Sequence, residues 1–214
     1  EGPSGLNRPV FNNGNIMTIN DIENTIIAFG QAAADAKRLG FDCIEIHGAH
    51  GYLIDQFFWE ATNLRTDIYG GKTLPERTRF AVDVIKEIRK QVGAYFPIAI
   101  KLNSADFQKG GFTEEDSLEV IKALAVAGID LIEISGGTYE SGVAKAPQKS
   151  STIAREAFFI DFAEKVRKYV TTPLMLTGGF RSAEGMNQAL KSNAFDVVGI
   201  ARLMAIEPDV PKSL

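Results

Sequence analysis

Five short apolar runs alternate with amphipathic segments along the chain, at 41–48, 97–103, 129–137, 173–179 and 195–202, and in each run alternate residues differ in kind. Side chains of a strand point to opposite faces in turn. One parity reads Ile44 and Ile46; Ile98, Ile100 and Leu102; Ile132 and Ile134; Leu174 and Leu176; Val198 and Ile200. The other reads Glu45 and His47; Ala99, Lys101 and Asn103; Glu133 and Ser135; Met175 and Thr177; Gly199 and Ala201. Five strands thus share one aliphatic face and one face of charged, polar and small residues. A doubly wound parallel sheet carries helices on both faces and wants both apolar. The interior of a barrel can hold a polar layer. The parity therefore predicts an α/β fold of the (β/α)8 TIM-barrel type, with the aliphatic face lying under helices.

The intervening segments fit that alternation. The segment 21–39 places Ile22, Ile26, Phe29, Ala33 and Ala36 on one face, with Thr18 as N-cap and Gly40 as the stop. The segment 75–92 opens with Pro75 and repeats Phe80, Val84, Ile88 and Val92. Thr113 caps a third helix, carrying Leu118, Ile121 and Leu124 and ending at Gly128. Phe158, Phe162, Val166 and Tyr169 mark a fourth, and 182–191 is a short last one. No linker, low-complexity stretch or short repeat stands out. A single domain over 1–214 is expected.

Closure needs eight strands, and five are visible. The first 17 residues read as loop, with Asn12, Asn13, Gly14 and Asn15 clustered near Pro3 and Pro9, and the chain opens with Glu1. The expectation is that the chain carries the last five βα units and that the first three lie outside it.

Bulk properties narrow the partners. A net charge of −4, from 23 basic and 27 acidic residues, argues against nucleic acid or an anionic membrane. No apolar run is long enough to cross a bilayer. Cys43 is the only cysteine, so no intrachain disulfide forms, which fits a cytoplasmic setting; its apolar neighbours predict a buried, inert thiol.

Three clusters can carry chemistry. His47-Gly48-Ala49-His50-Gly51-Tyr52 follows the first run, at the strand end where barrels place catalytic groups. The two histidines can anchor a substrate oxyanion, act as acid and base, bind a metal, or serve as hydrogen-bonded structural residues. No further His and no second Cys supports the metal reading. Gly178 and Gly179 form a strand-to-helix turn in which backbone N–H groups can approach an anion, with Ser182 opening the next helix. Gly199, Ala201 and Arg202 close the last run, where TIM barrels often bind phosphate. Lys101 lies on the polar parity, flanked on neighbouring strands by Glu45 and Glu133. It either balances those carboxylates, stabilises negative charge on a cofactor ring, or forms a Schiff base, which the carboxylates disfavour by raising its pKa. The run Phe57-Phe58-Trp59 reads as packing, and 148–152 as a solvated loop or lid.

The stretch Glu45-Ile46-His47-Gly48-Ala49-His50-Gly51-Tyr52-Leu53 continues through Asp55-Gln56-Phe57, Thr62-Asn63-Leu64-Arg65-Thr66-Asp67-Ile68-Tyr69-Gly70-Gly71 and Glu76-Arg77-Thr78-Arg79-Phe80. In residues and spacing it resembles the signature of the Old Yellow Enzyme family of FMN-dependent NAD(P)H oxidoreductases. The resemblance extends to Ile134-Ser135-Gly136-Gly137-Thr138-Tyr139-Glu140, to Thr177-Gly178-Gly179-Phe180, to the tail near Pro208, and to Pro3-Ser4. It implies FMN across the barrel mouth, reduced by NAD(P)H, and hydride transfer to an activated alkene, enone, nitro compound or similar small molecule. It implies that Tyr52 is the proton donor and that His47 and His50 hold the acceptor's oxygen. Gly178, Gly179, Ala201 and Arg202 would hold the FMN phosphate, and Lys101 the flavin's pyrimidine edge. Two positions depart from the family's pattern, Lys101 for the usual arginine and Ala201 for the usual glycine. The competing readings are a truncated or excised half-barrel without flavin, which self-associates or pairs with the missing N-terminal part, and a barrel lyase using Lys101.

Overall fold

The computed structural model describes residues 1–5, 14–107, 110–137 and 156–213. Five strands, β1 (Ile44–Gly48), β2 (Ile98–Asn103), β3 (Leu131–Ser135), β4 (Leu174–Thr177) and β5 (Val197–Gly199), form one sheet. All neighbours are parallel and the spatial order is the chain order, β1-β2-β3-β4-β5. The strands coincide with the five apolar runs but are shorter. The flanking residues lie where the chain leaves the hydrogen-bond ladder.

Helices α1 (Ile19–Arg38), α2 (Leu53–Phe58), α3 (Leu74–Val92), α4 (Glu114–Val126), α5 (Ile160–Arg167), α6 (Ala183–Leu190), α7 (Arg202–Ile206) and α8 (Val210–Ser213) fall between and after them. Thr18 starts α1 with a capping box: its hydroxyl accepts from Asp21 N at 3.1 Å, and Asp21 accepts from Thr18 N at 2.8 Å. Thr113 and Asp116 repeat the device at α4. On α1, Ile22, Ile26 and Ala33 are buried as expected, and Gly30 joins them because a side chain there would meet Glu87 Cγ of α3 at 2.8 Å. Tyr169, expected on the buried face of α5, lies beyond the helix end and is exposed. The short helices α2, α7 and α8 are too brief for periodicity to reveal.

The aliphatic parity is the core. Ile98, Ile100, Ile132, Ile134, Leu174 and Leu176 are fully buried, packed with Phe80, Val84, Ile85, Ile121 and Leu124 from α3 and α4. Phe57 and Phe58 are buried too, as packing residues. Cys43 is a correction: it precedes β1 at the sheet's outer edge and is exposed, because no neighbouring strand among the described residues covers that side.

The sequence does contain a short repeat, contrary to expectation. Phe41-Asp42-Cys43-Ile44, Ile129-Asp130-Leu131-Ile132 and Phe195-Asp196-Val197-Val198 precede alternate strands. Asp130 Oδ2 accepts from Ile98 N, which opens the preceding strand, at 2.8 Å and pairs with Arg89 of α3. Asp196 does the same with Leu174 N at 2.8 Å and Arg167 of α5. Each clamp fixes the start of one strand against the next.

Gly2, Pro3, Ile16 and Met17 are anchored. Gly2 forms a parallel bridge with Ile16, and Arg65 Nη1 donates to Pro3 O at 3.1 Å and to Met17 O at 2.6 Å. Among the described residues no helix is long and apolar enough to cross a membrane.

Candidate active site

Parallel strands bring all their C-terminal ends to one edge, and the polar parity gathers there. Register places His47 beside Lys101, and Lys101 beside Glu133. Lys101 Nζ donates to Glu133 Oε1 at 2.6 Å, with Glu133 buried. Glu45 is opposite Ala99, one pleat below Lys101, so Lys101 pairs directly with Glu133 and acts on Glu45 as a nearby charge. Glu45 instead shares a hydrogen bond with Glu133; burial and then that neighbour push its pKa up to about 7.

After β1 the chain turns sharply. His50 has φ 62 and Gly51 φ 82, a left-handed pair that a histidine adopts only when held there. The turn brings the His50 ring 5.3 Å from that of His47, and its Nε2 lies 2.9 Å from Ser135 Oγ. Tyr52, the N-cap of α2, sets its ring 4.8 Å from His47 and is 42% exposed. His47, His50 and Tyr52 are thus one cluster. Burial lowers the pKa of both histidines, His50 to about 4, and the charges of His47 and Lys101 lower His50 further. Both rings are neutral at pH 7, hence hydrogen-bond donors without a formal charge.

From His50 and Lys101 a cavity of about 520 Å³ runs along the strand ends to Gly178, Gly179, Ala201 and Arg202. It therefore joins His50 to both loops that the sequence singles out as candidate anion sites. Gly178 has φ 146 and Gly179 φ 87. A Cβ on Gly178 would meet the Phe159 ring at 2.8 Å, so the loop needs glycine for space as well as conformation. Among the described residues, nothing accepts from the N–H groups of Gly179, Phe180, Ala201, Arg202 or Leu203. Arg202 is exposed and has no ion pair among them.

The start of α6 is a correction. Ser182 caps it as expected, accepting from Gly185 N at 3.1 Å. The buried Glu156 carboxylate, however, accepts from Arg181 N and Ser182 N at 3.1 Å each and from Ser182 Oγ at 3.0 Å. The Glu156 carboxylate thus occupies that helix end, apart from the glycine turn and the Ala201–Leu203 amides. Thr138, Tyr139, Glu140 and the loop at 148–152 lie outside the described residues.

Linear reading missed Ser135, Asn103 and Asp55. Ser135 and Asn103 stand on the polar parity at strand ends, so the parity that singled out Lys101 applies to them equally. Asp55 carries no such signal, since it sits in a helix of six residues.

Residues 2–214 match the family described as NADH:flavin oxidoreductase / NADH oxidase. The NADH-dependent flavin oxidoreductase iliE of Hypocrea jecorina (strain QM6a) is 40% identical over 220 residues, covering 99% of this chain and 54% of that protein. The NADH oxidase of Thermoanaerobacter brockii is 36% identical over 196 residues, covering 92% of this chain and 30% of that protein. Among solved structures, a 2-naphthoyl-CoA reductase–2-naphthoyl-CoA complex superposes with a TM-score of 0.90 at 30% identity, covering 99% of this chain and 32% of that one. The old yellow enzyme homologue from Zymomonas mobilis has a TM-score of 0.79 at 24% identity, covering 99% of this chain and 59% of that one, a likeness of fold. The chain spans about half the length, or less, of these curated relatives.

Proposed function

The chain belongs to the NADH:flavin oxidoreductase / NADH oxidase family, and from that premise we propose that it forms the catalytic part of an FMN-dependent, NAD(P)H-driven reductase of activated alkenes. The carrying observation is one cavity lined by His50, Lys101 and the Gly178–Gly179 and Ala201–Arg202 loops, with the His47 ring beside that of His50 and the Tyr52 ring beside that of His47. Its volume of about 520 Å³ suits a cofactor-sized ligand. The glycine turn, and the loop amides and Arg202 guanidinium that have no partner among the described residues, suit a phosphate.

FMN, when bound, would supply the hydride chemistry that links NAD(P)H to the acceptor's β-carbon. The protein's share is polar. His47 and His50, both neutral, donate hydrogen bonds to the acceptor's carbonyl or nitro oxygen and stabilise the charge that builds there. Tyr52 delivers the proton to the α-carbon. Lys101, anchored by Glu133, would offer a positive charge to the flavin's pyrimidine edge. Gly178, Gly179, Ala201 and Arg202 hold the phosphate. Enones, nitro compounds and similar small molecules are the proposed acceptors.

We read residues 1–214 as one domain carrying five units of a (β/α)8 barrel, acting in the cytoplasm. The Asp clamp supports the barrel. Asp130 and Asp196 each hold the start of the preceding strand, while Asp42, in the same place before β1, has no such partner among the described residues. A further parallel strand beside β1, from an N-terminal part of the barrel, would supply it.

An FMN titration followed by the visible spectrum is the test. Saturation at one flavin per chain supports the cradle; no binding moves the activity to a longer protein. In the flavin-loaded protein, Tyr52→Phe should slow alkene reduction while NADH still reduces the flavin at the wild-type rate. Equal loss of both half-reactions removes Tyr52 from the proton-donor role.

A further inference from the structure

The turn that aims His50 and Tyr52 has no support from β1 itself, because the chain has left the strand at Gly48. Its two amides point instead into a buried polar cluster at the end of β2. His50 N donates to Asn103 Oδ1 at 3.3 Å, and Gly51 N donates to Asp55 Oδ2 at 2.7 Å. Asn103 Nδ2 then donates to the same Asp55 oxygen at 3.1 Å and to Asp106 Oδ1 at 3.1 Å. Asp106 closes the next loop, accepting from Phe112 N at 3.1 Å while its own N–H donates to Phe112 O at 3.0 Å. Asn103 and Asp106 are 1% exposed and Asp55 is 4% exposed.

One amide side chain therefore touches both loops. On one side is the left-handed His50–Gly51 pair. On the other is the loop bearing Phe107, which also has positive φ, at 55, and stacks on the cavity-lining Phe159 with centroids 5.9 Å apart. Such a strained residue persists only when its surroundings hold it. Two buried carboxylates beside each other also need a shared donor. An amide is the side-chain group that gives an acceptor to the turn and two hydrogens to the carboxylates at once.

We propose that Asn103, with Asp55 and Asp106, is a positioning device that locks the His50–Gly51–Tyr52 turn and the Phe107-bearing loop to the end of β2 as one unit. It touches no reacting atom. It acts by fixing where the imidazole of His50 and the ring of Tyr52 stand relative to the aromatic wall at Phe107 and Phe159. The activity arm of its test rests on the alkene-reductase reading; the amide-exchange arm does not.

The experiment is amide hydrogen exchange on the full chain with Asn103→Ala, and with Asn103→Ser as the milder break if the alanine variant does not fold. The amides of His50, Gly51 and Phe112 should lose protection together, by about tenfold, as expected when hydrogen bonds to charged groups are lost. Sheet amides such as Ile100 and Ile132 should keep theirs. Asp55→Asn keeps an oxygen for Gly51 N and Asn103 Nδ2, and should hold protection near wild type. In the flavin-loaded protein, Asn103→Ala should slow alkene reduction while flavin reduction by NADH stays at the wild-type rate. Unchanged protection at His50 and Gly51 overturns the lock. Loss there with Phe112 unaffected overturns the coupling, and a uniform loss across the sheet reduces Asn103 to a packing residue. If the wild-type protein reduces no alkene, the functional reading falls, while the exchange pattern still decides the lock.

Discussion

Glu45 and Glu133 share the polar face, and the two carboxylates cannot both ionise comfortably. Burial first, then the Glu133 carboxylate, push Glu45 from 4.5 to about 7. Glu133 stays below its ordinary value: burial works to raise it, but hydrogen bonds from Glu45 and Lys101 win. The shared proton therefore resides on Glu45. A carboxyl raised in this way binds its proton more tightly folded than unfolded. Its stabilisation is complete below an unfolded pKa of 4.5 and is lost as pH rises through about 7. The displacement caps the effect at about 3 kcal/mol. Glu45 is exposed on the β1 edge, so solvent screening leaves about 1 kcal/mol. Glu45→Gln puts a permanently neutral donor in its place. Thermal melts at pH 4 should show variant and wild type together. At pH 8.5 the variant should melt higher, by roughly 2–4 °C for a chain of this size. Melting curves displaced by the same amount at both pH values would refute the shared proton.

Three further outcomes follow from the same geometry. Arg202→Ala should weaken FMN binding by about 10- to 100-fold, the loss of one charge-assisted bond to phosphate, and leave riboflavin affinity unchanged; flavin fluorescence titrations compare the two, and equal loss for both would place Arg202 away from the phosphate. Phe80→Ala, in the fully buried contact with Phe57 at 4.3 Å between centroids, should cost about 3–5 kcal/mol in denaturant unfolding; Tyr95→Ala, at 99% exposure, should cost almost nothing. Cys43 should react with an aromatic disulfide reagent in the folded protein as fast as in denaturant, and protection by folding would show that the β1 edge is covered.

What could be read from the sequence was whatever leaves a period. Strand parity separated Ile100 from Lys101 and Ile134 from Glu133, and the aliphatic residues of β2, β3 and β4 form the core. Caps at Thr18, Thr113 and Ser182 were legible because a hydroxyl three residues before an amide is a local device. The His47–His50–Tyr52 cluster was legible as a motif, but its geometry was not. Nothing in the linear order tells that His50 takes a left-handed φ, or that Ser135, 85 residues away, meets its ring. Glu156 is the plainest case. A glycine turn followed by a capped helix start reads as an anion site, and only the folded chain reveals that the carboxylate of Glu156, 25 residues before Arg181, already sits there.

The burial of the polar layer also carries information about its surroundings. At the centre, Glu133 has 5% of its side chain exposed and its partner Lys101 20%. Outward on β1, Glu45 and His47 are both exposed, and on β5 Val197 is 43% exposed. A layer facing bulk water would be open throughout, and one sealed by helices would be apolar throughout. This layer is charged yet buried in the middle, and opens toward both sheet edges. Such a profile follows when the sheet curves around its polar face, so that central strands shelter one another and edge strands lack neighbours. The raised pKa of Glu45 then reports how far that shelter already extends. Further strands beside β1 would desolvate Glu45 more deeply and push its pKa higher, so the pH at which stability declines measures closure of the polar face directly.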